Sequence, residues 1–147
     1  MIINPDFEQF FSTMMQFGKL MSRYIKETQE EKAATMLQLT ALQLLIEQPN
    51  GTVSDLADFL SLSKSSTTQL VERLVGANLV ERIDDKEDRR IIRLVITETG
   101  KKEFITLKKK LMEKMQKIFS KVPAKDLREL VRIYTNLIET VKKETVI

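Results

Sequence analysis

Residues 79–100 of the chain, LVERIDDKEDRRIIRLVITETG, contain the pattern that decides the fold. Two runs rich in Val, Ile and Leu flank a polar loop that carries Asp88, Arg89 and Arg90. Two short runs of β-forming residues on either side of a polar loop are typical of a β-hairpin. The sequence therefore predicts a hairpin whose tip presents arginines.

Two short helical patterns precede the hairpin. They lie within residues 54–78, SDLADFLSLSKSSTTQLVERLVGAN, and a Ser-Leu-Ser break separates them. Two helices joined by a tight turn indicate a helix-turn-helix, and Asn78 stands where the second helix must end in a left-handed turn. With the hairpin, this order predicts a winged helix-turn-helix, mainly α with a small sheet (α+β). The predicted partner is double-stranded DNA, because the second helix can enter the major groove while a basic loop reaches its flank.

The second helix has a polar face that is the candidate for DNA contact. Ser63 is its predicted N-cap, and Leu70, Val71 and Leu74 define its buried face. Short hydroxyl side chains at a helix start suit close approach to phosphates, and Gln can pair with adenine. Capping alone also explains Ser and Thr at a helix start. The candidate DNA contacts are Ser63, Lys64, Ser65, Ser66, Thr68, Gln69 and Arg73 of the helix, with Lys86, Asp88, Arg89 and Arg90 of the wing.

Periodicity also predicts the core of this lobe. The helix of residues 36–46 is apolar over most of its circumference and should be central. Thr52 and Val53 are predicted to add a short third strand to the sheet. The predicted core residues are Leu42, Leu45, Leu56, Ala57, Leu60, Leu70, Val71, Leu74, Leu79, Val80, Ile92, Leu94 and Ile96.

Three further apolar stripes predict long amphipathic helices toward the two chain ends. The first follows Asn4, a predicted N-cap, the second begins at Thr97, and the third continues from Pro123. Because three such helices exceed what a winged lobe needs to cover its core, the simplest use is a homodimer whose chain ends interlock. A monomer with folded-back helices is the alternative. The predicted domains are an N-terminal dimerisation helix at 1–32, the DNA-binding lobe at 33–100 and C-terminal dimerisation helices at 101–147.

Composition excludes several classes of function. The 147 residues include no Cys and no His, which removes disulfides, thiolate nucleophiles, zinc-finger ligand sets and imidazole bases. The carboxylates are scattered over polar helix faces, as solvated surface charges are. We expect no enzyme, no catalytic residue, no metal and no cofactor, with an enzyme using an all-carboxylate metal site as one alternative.

No apolar run approaches the roughly 20 residues of a membrane span, and the start MIINPDFEQFF lacks the features of a signal peptide. The expected location is cytoplasmic, away from membranes.

The net charge of +3 is spread unevenly along the chain. The first 60 residues are acidic on balance and residues 101–147 are strongly basic. Charge alone would place a polyanion on the C-terminal third, but its lysines interleave with an apolar stripe. They are therefore predicted to form the solvated face of a helix.

Residues 62–83, LSKSSTTQLVERLVGANLVERI, and 88–100, DRRIIRLVITETG, resemble the MarR (multiple antibiotic resistance regulator) family of bacterial transcription factors. The wing of that family has Asp-x-Arg, then a strand ending Leu-Thr, then two residues and Gly. Asp88, Arg90, Thr97 and Gly100 match, and Ile96 replaces the Leu. The resemblance implies an obligate homodimer on a pseudo-palindromic operator, with Arg90 at the minor groove and Asp88 orienting the wing.

The predicted function is therefore sequence-specific transcription regulation. The resemblance favours a repressor that binds a promoter operator as a homodimer and is released by a small-molecule effector. The predicted effector site is lined by Met14, Phe17, Met21 and Met36, although ordinary core packing also explains these apolar side chains. The alternative function is a winged-helix module that binds a protein partner without sequence-specific DNA binding.

Overall fold

The computed structural model describes residues 4–27 and 34–145. Its elements are α1 (Pro5–Glu27), α2 (Ala34–Glu47), α3 (Val53–Leu60), α4 (Lys64–Gly76), β1 (Val80–Asp84), β2 (Ile92–Ile96), α5 (Glu98–Phe119) and α6 (Ala124–Thr145). Helix-turn-helix and hairpin follow one another as predicted, so the chain has the predicted winged helix-turn-helix fold. In the described part of the chain, no helix combines the length and the apolar character that a membrane span requires.

The described residues fall into two compact units that divide between Lys101 and Lys102. The first contains the winged lobe, and the second contains most of α5 and all of α6. The predicted boundary between residues 32 and 33 lies outside the described residues. The assignment of the end helices to dimerisation stays a prediction.

Local hydrogen bonds define the ends of the two helices of the helix-turn-helix. Thr52 and Asp55 form a capping box at the start of α3. Ser61 ends α3 with a φ of 52°, and Ser63 caps α4 as predicted. Asn78 has a φ of 57°, which confirms the predicted left-handed turn after α4. These caps fix the short turn that separates the two helices.

The hairpin is antiparallel, with Val80 opposite Ile96 and Asp84 opposite Ile92. Among the described residues it forms a two-stranded sheet, so the predicted third strand at Thr52 and Val53 is wrong. Thr52 instead caps α3, of which Val53 is the first residue.

The core of the lobe lies where α2, α3 and α4 pack against one face of the hairpin. Most of the predicted core is buried, with Leu42, Leu56, Val71 and Leu94 fully so. Three predicted core residues differ: Leu60 and Ile96 are half-buried, and Ile92 is exposed. Ile92 belongs to the last strand pair before the loop, which explains its exposure.

The long helices at the chain ends begin as predicted but leave apolar surface uncovered. Asn4 Oδ1 accepts the N–H of Asp6, and Thr97 Oγ1 accepts the N–H of Gly100. Exposed apolar side chains on α1 are Phe7, Phe10, Phe11, Met14, Met15, Phe17 and Leu20. Those on α6 are Leu130, Val131, Ile133, Tyr134, Leu137, Ile138 and Val141. Within the single chain, these two helices therefore present apolar faces to solvent.

Candidate DNA-binding surface

The first turn of α4 presents a row of hydroxyl groups. Ser63 Oγ accepts the N–H of Ser66 at 3.1 Å and donates to Ser66 Oγ at 2.9 Å. Thr68 Oγ1 donates to the carbonyl of Lys64, and Thr67, which faces the core, donates to that of Ser63. Capping therefore accounts for the Ser63 hydroxyl. The oxygen lone pairs of the exposed hydroxyls and the backbone N–H groups at this helix start can still engage an anion.

One acidic side chain on the exposed face of α4 is held by the hairpin. Glu72 Oε1 accepts a hydrogen bond from Arg82 Nη2 at 2.7 Å. Arg82 belongs to β1, so this ion pair joins the recognition helix to the first strand of the wing. The positive charge of Arg82 also offsets the negative charge of Glu72, which would otherwise repel DNA phosphates.

At the tip of the hairpin, Asp88 holds Arg90 through three hydrogen bonds. Its Oδ1 accepts the Arg90 backbone N–H at 3.0 Å and Nε at 3.1 Å, and its Oδ2 accepts Nη2 at 3.2 Å. These bonds lower the pKa of Asp88 below its ordinary value. The Arg90 side chain nevertheless remains 91% exposed. The carboxylate thus fixes the direction of the guanidinium without covering it. An exposed, oriented guanidinium is well suited to enter a narrow, electronegative minor groove.

A second carboxylate, Asp85, organises the loop from inside. The backbone N–H of Asp88, the Arg93 guanidinium and the backbone N–H of Glu87 lower its pKa from 3.8 to about 2. Arg93 Nη1 also donates to the backbone carbonyl of Asn50, in the turn between α2 and α3. Asp85, Arg93 and Asn50 are not among the predicted site residues. The spacing of Asp85 from Asp88 indicates an Asx turn, but no local pattern indicates a contact between Arg93 and a residue 43 positions away.

The structure brings the predicted contact residues together on two adjoining elements. The predicted residues of α4 and its cap are all exposed, as are Lys86, Arg89 and Arg90 of the loop, and Asp88 is half-buried. Direct contact of these residues with DNA stays a prediction.

The predicted effector residues lie on two helices. Met14, Phe17 and Met21 share one face of α1, where Met21 is buried and the other two are exposed. Met36 is exposed on α2. The effector site stays a prediction.

The recognition helix and the arginine-bearing hairpin define a winged helix-turn-helix DNA-binding protein. Residues 34–92 match the sequence profile of the MarR family. The chain is 34% identical over 107 residues to the uncharacterised HTH-type transcriptional regulator YpoP of Bacillus subtilis, covering 73% of this chain and 76% of YpoP. It is 32% identical over 78 residues to the HTH-type transcriptional repressor MdtR of Bacillus subtilis, covering 53% of this chain and 50% of MdtR.

The fold is similar to that of solved structures over nearly the whole chain. A MarR family protein from Bacillus stearothermophilus superposes with a TM-score of 0.74 at 21% identity, covering 96% of this chain and 99% of that one. The transcriptional regulator BldR from Sulfolobus solfataricus superposes with a TM-score of 0.72 at 22% identity, covering 94% and 99%. This chain belongs to the MarR family of transcriptional regulators. DNA-binding transcription regulation is the function that this membership supports.

Proposed function

We propose that this protein is a repressor that binds a pseudo-palindromic promoter operator as a homodimer and is released by a small-molecule effector. The observation that carries the proposal is the exposed Arg90, held in one direction by Asp88 at the tip of the wing. The name of its relative MdtR, a transcriptional repressor, favours repression over activation.

The proposed complex uses both elements of the winged lobe. Two recognition helices, one from each subunit, enter successive major grooves about 34–36 Å apart on one face of the DNA. Lys64, Ser65, Ser66, Thr68, Gln69 and Arg73 face the groove, together with the cap residue Ser63. The wings, with Lys86, Arg89 and the Asp88–Arg90 pair, grip the flanks. Bound over a promoter, such a dimer blocks the polymerase.

The exposed apolar faces of α1 and α6 support the homodimer. A folded chain seldom leaves rows of Phe, Met, Leu and Val in water on two long helices. Covering them with the same helices of a second copy removes this surface and places two recognition helices in one particle. The dimer formed in this way has a two-fold symmetry that matches a pseudo-palindromic operator.

DNA binding is tested by fluorescence anisotropy with duplex DNA from the upstream region of the gene. The titrations use excess unrelated duplex and two salt concentrations. We expect tight binding of two subunits per site that resists the competitor and weakens steeply with salt, because phosphate contacts release counterions. If the upstream DNA binds no better than the competitor, selection from random duplexes follows. Failure of that selection to yield a preferred sequence would support the protein-binding module instead.

The contribution of the wing is tested with the substitution Arg90→Ala. We expect operator binding to weaken by about 1–3 kcal/mol while the dimer and the fold stay intact. The matched control is Arg132→Ala on α6. Arg132 is likewise an exposed arginine held by a carboxylate, that of Glu129 at 2.9 Å, so this change removes the same charge and a similar ion pair. An equal loss in both variants would show that affinity follows overall charge and not the wing.

Effector release is tested by repeating the anisotropy titration with aromatic carboxylates such as benzoate. We expect a ligand of this class to weaken operator binding by changing the distance between the two recognition helices. A dimer that binds two half-sites at once tolerates little change in that distance. Met36→Ala should reduce this response and leave ligand-free binding unchanged, because Met36 is exposed and outside the winged surface. A response that is identical in the variant would place the effector elsewhere.

A further inference from the structure

We propose that Asp85 and Arg93 are positioning residues for DNA binding: their ion pair fixes the loop that carries Arg90 relative to the helix-turn-helix, and neither side chain contacts DNA itself. This inference rests on the proposed function, because it takes the wing to be a DNA-contacting element.

Both carboxylate oxygens of Asp85 are used within the protein. Oδ1 accepts the backbone N–H of Glu87 at 2.9 Å and that of Asp88 at 3.0 Å. Oδ2 accepts Arg93 Nε at 2.7 Å. The Asp85 side chain is only 18% exposed, against 91% for that of Arg90. Asp85 therefore faces the protein, and it holds the main chain of the residue that in turn holds Arg90.

Arg93 extends this connection to the helical part of the lobe. Its Nη1 donates to the carbonyl of Asn50 at 3.2 Å, and the N–H of Leu94 donates to the carbonyl of Gly51 at 2.8 Å. Two successive residues of β2 are thus bonded to two successive residues of the turn that precedes α3. A continuous path of hydrogen bonds leads from this turn through Arg93 and Asp85 to the loop.

Without this path the loop would depend on the hairpin alone for its position. A two-stranded ribbon on its own is only marginally stable, and the ion pair between Arg82 and Glu72 ties only β1 to α4. The Asp85–Arg93 pair adds an attachment at the loop end of the hairpin, on the side of the α2–α3 turn. The loop is thereby held at both strands, which lowers the entropy that Arg90 must lose on binding DNA.

The alternative role for Arg93 is direct contact with a phosphate, as for any basic residue of a wing. The two roles predict opposite signs for the substitution Asp85→Asn. If the wing only needs positive charge, removing an acidic group near DNA strengthens binding. If the pair positions the wing, the same change weakens binding, because the amide cannot compensate Arg93 while its oxygen can still accept the two loop N–H groups.

The experiment measures operator affinity by anisotropy for wild type, Asp85→Asn and the matched control Asp84→Asn. Asp84 is the adjacent acidic residue and is exposed in β1, so the control makes the same change in charge. We expect Asp85→Asn to weaken binding roughly three- to tenfold and Asp84→Asn to leave it unchanged or slightly tighter. Binding by Asp85→Asn as tight as by wild type or tighter would overturn the proposal.

Two further variants separate positioning from loss of the fold and from direct contact. Because Asp85 is proposed to act through Arg90, Asp85→Asn combined with Arg90→Ala should bind no more weakly than Arg90→Ala alone. Thermal unfolding confirms that each variant is folded at the assay temperature. Arg93→Gln should weaken binding without changing its salt dependence. A salt slope that falls by about one in this variant would mean that Arg93 itself binds a phosphate, and it would overturn the proposal.

The outcomes also separate this inference from the proposed function. If Arg90→Ala weakens binding and Asp85→Asn does not, the inference alone is wrong. If wild type binds an operator but Arg90→Ala is without effect, the wing assignment is wrong and the inference with it. If wild type prefers no DNA sequence, the proposed function itself fails.

Discussion

Gly100 shows how one residue sets the approach of two elements. A Cβ atom added there would lie 2.1 Å from the carbonyl oxygen of Leu79 and 2.7 Å from Cγ1 of Ile96. The same carbonyl accepts the N–H of Thr97, so the start of α5 is pressed against the beginning of β1. Gly100 matches a glycine of the family pattern, and this contact leaves no room for a side chain there.

We expect Gly100→Ala to destabilise the protein by at least about 1–3 kcal/mol, because backbone atoms must move to admit the methyl group. The usual effect of Gly→Ala inside a helix is the opposite, a gain of up to about 1 kcal/mol. Gly76→Ala is the matched control, since a Cβ at the end of α4 meets no atom within 4 Å. Urea unfolding at equal protein concentration gives both values. Equal effects of the two substitutions would contradict the close approach.

Asn78 supports a second prediction at the scale of one residue. Its φ of 57° is unfavourable for most side chains, while Asn tolerates it and Gly adopts it freely. We expect Asn78→Ala to lower the free energy of unfolding by about 1–2 kcal/mol, and Asn78→Gly to match or slightly exceed wild type. The same urea measurement checks both. If Asn78→Ala is as stable as wild type, the turn after α4 does not impose this conformation.

Among the elements, the wing depends on ionised carboxylates and is therefore sensitive to acid. The pKa of Asp85 is lowered from 3.8 to about 2, so its ionised form favours the folded loop. The sign follows from linkage: this contribution is complete above the ordinary pKa and is lost as pH falls through the folded one. We expect this contribution to decline once pH falls below about 4 and the loop itself to loosen as Asp85 is protonated, which NMR detects as a carboxyl titration with a midpoint near 2.

The substitution Arg93→Gln checks the cause of this shift. The pKa of Asp85 should rise only part of the way, since the N–H groups of Asp88 and Glu87 still donate to it. Glu129 is the internal control, because Arg132 lowers its pKa in the other unit and Arg93 takes no part. An unchanged Asp85 titration would show that the Arg93 contact contributes nothing.

Elements whose signals are local could be predicted from the sequence. The helix-turn-helix, its caps at Ser63 and Asn78 and the hairpin follow from periodicity and from residues within a few positions of one another. The third strand at Thr52 and Val53 was wrong because a competing local signal, the capping box with Asp55, prevailed. The partners of Arg82 and Arg93 could not be predicted, since they depend on where separate elements lie after folding.

At the scale of the whole molecule, the end helices leave a large apolar surface exposed to water. Each large apolar side chain that moves from water into an interface contributes about 1.5–3 kcal/mol, and α6 alone exposes seven such residues. A chain with this surface is expected to be a stable dimer at micromolar concentration. Sedimentation equilibrium measures the mass directly, and a wild-type monomer would contradict the homodimer.

The interface is located by placing a charge on each face of α6 in turn. Ile138→Glu puts a carboxylate into the apolar face, where burial without a partner costs several kcal/mol, so we expect dissociation to monomers. Asn136→Glu adds the same charge on the polar face two residues away and should leave the dimer intact.

The dissociated variant should also lose most of its operator affinity, because two recognition helices must act together. Its intact lobe should keep weak, salt-dependent binding to any duplex. A dimer that survives Ile138→Glu would exclude this face of α6 from the interface and leave α1 as the candidate.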